Sequence, residues 1–420
     1  MSRRLAVAAL LAMVSPIAIA STAPAASATT STTNAMITWD RNAQTAIWDV
    51  GQQLPWKQSR GFAMVSGAAY DAVNAILGTP YRPLLAAPPA TGRESTEAAV
   101  ATAYYLVLTA VLPEQADRLR VQYDEALAAI PDGPAERGGI AVGRQAAATM
   151  IAARENDGSD ADAQWAIGTE PGQWRPTPPL NTGDGAEVAD IKPLLVPSAA
   201  MFRTAGPPAL TSAAYARDLN EVKAIGKVDS TVRTTDQTEA AIWWHDRNLT
   251  EWQIKRQIAE TQHLSLLQTA RMFAMVDAIA LDAQIACFDD KRAWGFWRPI
   301  TAVRLADTDG NPRTTADPTW TPLLITPPFP DHPSGHACGT AARMATMRTF
   351  LGRDRVAFSA YSVATGTTRH FTSFSHAVEE LLGARVWGGI HFRTADVQGG
   401  KLGEAVSAYV TARYFKRNRG

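Results

Sequence analysis

Apolar side chains recur every three to four residues along most of this chain, which is the period of an amphipathic α-helix. The pattern predicts a helical segment over residues 42–77, where small side chains, alanine above all, dominate the apolar positions. It predicts further helices at about 94–112, 114–130, 135–155, 213–226, 234–247, 250–259, 262–287, 334–352, 373–391 and 396–416. Small residues let helices pack closely, so we expect an all-α fold of helical bundles, with two packed four-helix-bundle-like units.

Residues 157–213 depart from this helical pattern because they contain many prolines and glycines. The same segment holds Trp165, Trp174 and Phe202, so we predict a long ordered excursion rather than a flexible linker. Strand-like stretches are few and short, and no internal repeat is evident. We therefore divide the chain into an amino-terminal helical region with the excursion, residues 29–213, and a carboxy-terminal helical catalytic region, residues 214–420.

The first 28 residues have the pattern of a secretory signal peptide. Two arginines precede an apolar run over residues 5–20, and Ala-Ser-Ala at positions 26–28 forms a small-residue cleavage site. An uncleaved membrane anchor is the alternative, but the run is short for a bilayer and Pro16 interrupts it. We therefore predict cleavage after Ala28 and a secreted protein.

The charge of the mature chain argues against a polyanionic partner. Cleavage removes two of the 40 basic residues and none of the 40 acidic ones, which leaves a net charge near −2. Such a balance provides no footprint for nucleic acid or an anionic membrane surface. Every later apolar stretch is interrupted by charge or proline, so we expect no membrane span in the mature form.

The chain has only two cysteines, Cys287 and Cys338, which excludes a disulfide scaffold. Export permits a bridge between them. Two buried free thiols are the alternative, and the residues alone leave both possibilities open.

Three short blocks in the last third of the chain carry the candidate chemistry, at residues 291–299, 333–336 and 385–391. Cations neutralise oxyanion oxygens, and an arginine can bind two oxygens at once. A glycine at a helix start lets main-chain N–H groups approach an anion. One histidine can act as nucleophile or ligand while another transfers protons. The blocks therefore predict a site for a tetrahedral oxyanion and contribute Lys291, Arg298, Ser334, Gly335, His336, Arg385 and His391.

The spacing within each block suggests how its side chains converge. Lys291 and Arg298 are seven residues apart and are predicted on nearly one face of a helix that ends or kinks at Pro299. Ordinary solvated charges are the alternative, but three aromatic residues, Trp294, Phe296 and Trp297, lie between them.

The second and third blocks each depend on a helix end. Ser334 follows a proline-rich loop and is predicted to cap a helix that starts at Gly335, an anion-binding geometry or an ordinary N-cap. Arg385 and His391 are six residues apart and converge only if Gly388-Gly389 breaks their helix. A surface arginine and a core histidine are the alternative for that block.

Taken together, the blocks read Lys, six residues, Arg-Pro; then Pro-Ser-Gly-His; then Arg, five residues, His. This resembles the signature of the vanadium-dependent haloperoxidase and type 2 phosphatidic acid phosphatase superfamily. The resemblance extends to the secreted bacterial haloperoxidase-like branch through residues 60–65, 69–76, 174–176, 234–239 and 317–323. Two positions depart from the family pattern: Ala384 replaces a serine, and Ala395 replaces an aspartate, with Asp396 one place later.

The resemblance implies vanadate as the cofactor, with phosphate able to occupy the same site. His391 would coordinate the vanadium, or attack phosphorus in a phosphatase, and His336 would be the general acid–base. The resemblance assigns oxyanion binding to Lys291, Arg298, Ser334, Gly335 and Arg385. Lys291 is also implied to polarise bound peroxide and so to be catalytic.

The implied activity is oxidation of halide by hydrogen peroxide to a hypohalous-acid equivalent. Phe288 and Phe329 would flank the anion and form a halide pocket, because an apolar wall helps to strip water from halide. The partners would be peroxide and a halide or small organic substrate, and a homodimer is suggested by similarity. The alternatives are a secreted acid phosphatase with a phosphohistidine intermediate and a non-catalytic oxyanion-binding protein. Roles for His332 and Asp396 stay open.

Overall fold

The computed structural model describes residues 34–418, apart from the side chains of residues 246–248. The predicted signal peptide, residues 1–28, lies outside the described residues. The α-helices of the described part are α1 (Ala35–Gln44), α2 (Pro55–Ile76), α3 (Thr96–Val111), α4 (Ala116–Ala128), α5 (Pro134–Ala153), α6 (Ala213–Ile225), α7 (Thr235–Trp243), α8 (Arg247–Thr261), α9 (Leu266–Trp294), α10 (Pro299–Arg304), α11 (Gly335–Leu351), α12 (Phe374–Trp387) and α13 (Arg393–Arg413).

Hydroxyl side chains and prolines mark many of the helix starts. Thr234 and Ser265 each form a capping box with the glutamine three residues later, which satisfies N–H groups at the start of α7 and α9. One short antiparallel hairpin, β1 (Phe358–Ser362) and β2 (Thr367–Phe371), pairs Phe358 with Phe371. The predicted all-α class is confirmed.

The predicted helical segment over residues 42–77 is interrupted in the structure. Helix α1 continues into a π-helical turn, Thr45–Val50, and the chain then leaves helical geometry until Pro55 starts α2. Gln52 has a φ of +45° in this break. The apolar period was correct on both sides, but it could not reveal a four-residue connection within it.

Helices α2 and α9 form the centre of the molecule. Both are buried on almost every side, as expected for helices that are apolar all round, and they pack against each other. Helix α11 packs against α9 and α13. A Cβ at Gly403 would lie 2.2 Å from the carbonyl oxygen of Cys338, so the small residue is what allows α13 to approach α11.

The proline-rich excursion is ordered, as predicted. Its Trp174 N–H donates to Gly295 O at 2.7 Å, and its Asp184 N–H donates to Pro328 O at 2.9 Å. These bonds fasten the excursion to the segments that follow α9 and precede α11. Among the described residues, no helix is both long and apolar enough to cross a bilayer.

Candidate active site

Lys291 and Arg298 come together at the carboxyl end of α9, but not on one helix face as predicted. Helix α9 ends at Trp294, and Gly295 takes a left-handed φ of +51° that turns the chain. Arg298 is instead the residue that precedes α10, whose first position is Pro299. The convergence therefore comes from a tight helix end, which the seven-residue spacing alone could not distinguish from a continuous helix.

Lys291 is fully buried and is held by a ring of main-chain carbonyls. Its Nζ donates to Pro330 O at 2.8 Å, Asp331 O at 2.9 Å and Pro333 O at 2.5 Å. Burial lowers the pKa of Lys291 to about 8, and the nearby Arg298 guanidinium acts in the same direction. The proline-rich loop thus fixes the position of the ammonium group.

Arg298 lies against the same loop and is also fully buried. Its Nε donates to Phe329 O at 2.7 Å and its Nη1 to Ile390 O at 2.7 Å. Its Nη2 has no hydrogen-bond partner among the described residues. Burial lowers the pKa of Arg298 to about 10, which leaves it a cation at neutral pH. A buried donor without an acceptor is a direct sign that an acceptor belongs there.

Ser334 caps α11 as predicted, and its oxygen accepts from the N–H of Ala337. A Cβ built on Gly335 would lie 3.7 Å from the Phe288 ring and 3.9 Å from Lys291 Cε, so the helix start faces both residues. His336 is half-buried, and its ring lies almost parallel to that of His245 with centroids 6.3 Å apart. The helix start thus adjoins the cations, and His336 lies on the more exposed side.

Arg385 and His391 are brought together by the predicted helix break. Helix α12 ends at Trp387, and Gly389 has a φ of +75°. His391 is buried, and burial together with Arg298, Lys291 and Arg385 lowers its pKa well below the usual range. The imidazole is therefore neutral at physiological pH, as a ligand or nucleophile must be.

Asp331 is a site residue that the sequence reasoning missed. Its carboxylate Oδ1 lies 2.8 Å from His391 Nδ1 and 3.8 Å from Arg298 Nη1. Burial raises the pKa of Asp331 to about 7, and the Arg298 and Lys291 cations oppose that rise. The available signal was a lone carboxylate inside the proline-rich loop, three residues before Ser334.

Asp396, whose role the sequence left open, belongs to the other side of the cage. Burial raises its pKa, while the nearby Ser334 side chain and the Arg385 guanidinium oppose the rise. The neighbouring Arg393 has a weaker influence on Asp396 and pairs with Glu221 at 2.5 Å. Asp396 therefore lies beside the oxyanion-binding residues Ser334 and Arg385.

An aromatic wall lines one side of the two cations. The ring centroids of Phe288 and Phe329 are 5.2 Å apart, and Lys291 Nζ lies 5.2 Å from the Phe329 centroid. Trp56 of α2 and Trp165 of the excursion extend the wall, with centroids 6.0 and 6.1 Å from that of Phe288. The two tryptophans come from the amino-terminal region, where spacing gave no hint of the site.

Two further open questions concern residues beside the cage. His332 is buried and its Nε2 lies 2.9 Å from the hydroxyl of Thr204, while burial lowers its pKa to about 3. It is thus a neutral histidine with a hydroxyl partner. Cys287 and Cys338 are both buried and both are free thiols.

The arrangement as a whole suits an oxyanion such as vanadate. Three buried cations, the N–H groups of a helix start and a neutral imidazole face one another, and one guanidinium nitrogen lacks an acceptor among the described residues. Donors of this kind bind anionic oxygens, while a neutral histidine nitrogen can complete the coordination of the central atom. Vanadate and phosphate meet this donor set equally well.

Comparison with known proteins connects this geometry to a protein class. Residues 271–420 match the family model described as the VCPO second helical-bundle domain. The vanadium chloroperoxidase of Curvularia inaequalis is 33% identical in an alignment of 154 residues, and the alignment covers 30% of this chain. The match spans 25% of that relative's length. The carboxy-terminal part of the chain is therefore similar to the second helical-bundle domain described by that family model, which confirms the resemblance inferred from the three blocks.

Solved structures extend the likeness of fold to nearly the whole chain. A bacterial vanadium-dependent iodoperoxidase has a TM-score of 0.78 at 24% identity, covering 92% of this chain and 97% of that one. The holo form of a bacterial vanadium-dependent chloroperoxidase has a TM-score of 0.68 at 16% identity, covering 89% and 96%. The likeness of fold to these two structures thus includes the amino-terminal helices as well as residues 271–420.

Proposed function

We propose that this protein is a vanadate-dependent haloperoxidase, which oxidises halide with hydrogen peroxide to a hypohalous-acid equivalent. The observation that carries the proposal is the convergence of three buried cations, Lys291, Arg298 and Arg385, on the neutral imidazole of His391. Burying three like charges is costly unless an anion compensates them. The likeness to vanadium haloperoxidases supports vanadate as that anion.

The chain's own residues would have separate roles. Lys291, Arg298 and Arg385 would neutralise the oxyanion, and Ser334 Oγ and the Gly335 N–H would add hydrogen bonds. His391 would bind the central atom through one ring nitrogen. His336, less buried than the others, would move protons between the site and solvent. Held by these residues, vanadate would supply Lewis-acid activation of peroxide toward halide.

The same cage would also serve phosphoryl transfer, so an acid phosphatase with a phosphohistidine intermediate is the second candidate. The aromatic wall favours the peroxidase. Phe288, Phe329, Trp56 and Trp165 line one side of the cations with apolar rings. Such a wall suits a weakly hydrated halide or a small apolar substrate better than a phosphate ester.

The deciding experiment compares both activities on the full mature chain, with and without orthovanadate. Halogenation of a dione probe would be followed with peroxide and chloride, bromide or iodide, beside hydrolysis of an aryl phosphate. We expect halogenation that requires vanadate, peroxide and halide together. Phosphate release that vanadate inhibits, without halogenation, would instead identify a phosphatase. Absence of both activities in protein that binds vanadate would favour a non-catalytic binder.

We also propose that the protein is exported and that residues 1–28 are its signal peptide. The proposal is supported by the two arginines, the apolar run and the Ala-Ser-Ala site in that segment. Sequencing the amino terminus of protein recovered from the culture medium tests it. A mature terminus at Thr29 is expected, and retention of the chain in the cell would contradict it.

A further inference from the structure

Asp331 connects two members of the cage through two different groups. Its main-chain carbonyl accepts from Lys291 Nζ at 2.9 Å, and its carboxylate lies 2.8 Å from His391 Nδ1. Its own N–H donates to Phe296 O at 2.9 Å. The side chain is fully buried. Because the main chain is held at both its carbonyl and its N–H, the carboxylate is presented to the imidazole in a fixed orientation.

The partners of His391 indicate which ring nitrogen carries the proton. Arg298 Nη1 lies 3.1 Å from Nε2 and 3.3 Å from Nδ1, so this nitrogen lies over the ring and does not distinguish the two ring nitrogens. Asp331 Oδ1 lies closer still to Nδ1, at 2.8 Å, and in its ionised form, which the Arg298 and Lys291 cations favour, this carboxylate can only accept. The ionised Asp331 carboxylate is satisfied when Nδ1 carries the proton, which leaves the lone pair on Nε2. Nε2 is then the nitrogen available to a central vanadium or phosphorus atom.

This carboxylate fills a role that the family pattern assigns elsewhere. The resemblance places an aspartate four residues after the final histidine, where this chain has the buried Ala395. Asp396, one place later, faces Ser334 and Arg385. The carboxylate bonded to His391 comes instead from the loop before α11.

We propose that Asp331 is the positioning residue of His391, holding the Nδ1 proton so that Nε2 faces the bound oxyanion as a lone pair. In this chain the role has moved from the start of α13 to the proline-rich loop. A carboxylate partner on the second ring nitrogen fixes the ring and raises its basicity as a ligand. The inference rests on the proposed function only in taking vanadate as the bound oxyanion.

The first test examines the free protein and needs no activity. Nitrogen-15 NMR of the imidazoles distinguishes a protonated from an unprotonated ring nitrogen, and the chain has seven histidines to resolve. The His391 signals are assigned by their loss in His391→Gln. We expect Nδ1 protonated and Nε2 unprotonated in the wild type. The opposite tautomer in the free wild-type protein would overturn the proposal whatever the variants do.

The second test measures vanadate affinity by equilibrium dialysis, without peroxide or halide. Asp331→Asn and Asp331→Ala should each weaken binding by about 10- to 100-fold, the usual effect of losing such a partner. Asp331→Ala should also let the second tautomer become populated. Asp290→Asn is the matched control, since Asp290 is also buried and next to Lys291 but accepts from the N–H of Thr204 at 3.0 Å. Its affinity should stay within about twofold of the wild type, because its carboxylate has a partner outside the cage.

The outcomes separate this proposal from the proposed function. Wild-type affinity in Asp331→Asn, with the tautomer unchanged, would overturn the positioning role while leaving a vanadate site intact. An equal loss in Asp290→Asn would mean that any buried charge change here disturbs the site, which also overturns it. Failure of the wild type itself to bind vanadate would instead remove the proposed function, and the NMR result would still decide the tautomer.

Discussion

Helices α2 and α9 share a sequence motif, but of the two only α9 carries a residue of the candidate active site. With an offset of 211 residues, 60–75 and 271–286 share an arginine, Phe-Ala-Met-Val and an Asp-Ala pair. The shared aspartates, Asp71 and Asp282, do the same job. Each accepts hydrogen bonds from three successive main-chain N–H groups that begin with a Leu-Leu pair after a proline. The expectation that the chain has no internal repeat was therefore wrong.

The two helices differ in their length beyond the shared aspartate. Helix α2 ends at Ile76, and the position nine residues after Asp71 is Pro80, outside the helix. Helix α9 continues to Trp294 and places Lys291 nine residues after Asp282. In both helices, the shared aspartate binds the main chain of a distant segment. Of the two helices, only the extension of α9 reaches the anion site. The shared part of the helix therefore stabilises the fold, whereas the extension carries the site residue Lys291.

The largest effect is expected from replacing His391. His391→Ala removes the ligand or nucleophile, so all vanadate-dependent halogenation should disappear, along with any phosphatase activity. Assays of both activities on protein of unchanged circular dichroism check this. Activity that survived the change would mean that the cage had been assigned to the wrong residues.

His336→Ala should give a smaller and more selective loss. The residue is half-buried and lies outside the ring of buried cations, so turnover should fall by about 10²- to 10⁴-fold while vanadate affinity changes little. Steady-state kinetics and equilibrium dialysis on one preparation separate the two quantities. A loss of affinity without a loss of turnover at saturating vanadate would contradict the acid–base role.

Replacing the shared aspartates tests the comparison directly. Asp71→Ala and Asp282→Ala each leave three main-chain N–H groups without their acceptor, so each should lower the free energy of unfolding by about 3 kcal/mol. Vanadate affinity should survive in both, because neither carboxylate touches the cage. Denaturant unfolding with and without vanadate measures this. A loss in only one variant would break the equivalence of the two helices.

The sequence predicted the residues of the site more completely than the structural elements that position them. Lys291, Arg298, Arg385 and His391 were identified because their residue types and spacings are unusual and specific. The turn at Gly295 was not predicted, because the spacing of apolar residues does not locate the end of a helix to within one turn. Contacts across large sequence separations, such as Asp331 with His391 or Trp165 with Phe288, leave no local pattern to read.

The pH dependence of stability offers the finest comparison of the two aspartates. Burial raises the pKa of Asp71 and of Asp282 from 3.8 to about 6, although their three main-chain hydrogen bonds oppose the rise. Between pH 3.8 and about pH 6, each of these aspartates retains a proton in the folded protein that it has released in the unfolded chain. The contribution of each group to the free energy of unfolding is therefore fully present below about pH 4. It is lost as the pH rises through about 6, at up to about 1.4 kcal/mol per pH unit.

Asp71→Asn and Asp282→Asn should each remove that slope, so the stability of wild type relative to either variant should fall between about pH 4 and pH 6. Unfolding measured at intervals across this range checks the sign, and a constant difference for one variant alone would show that the two environments are not equivalent.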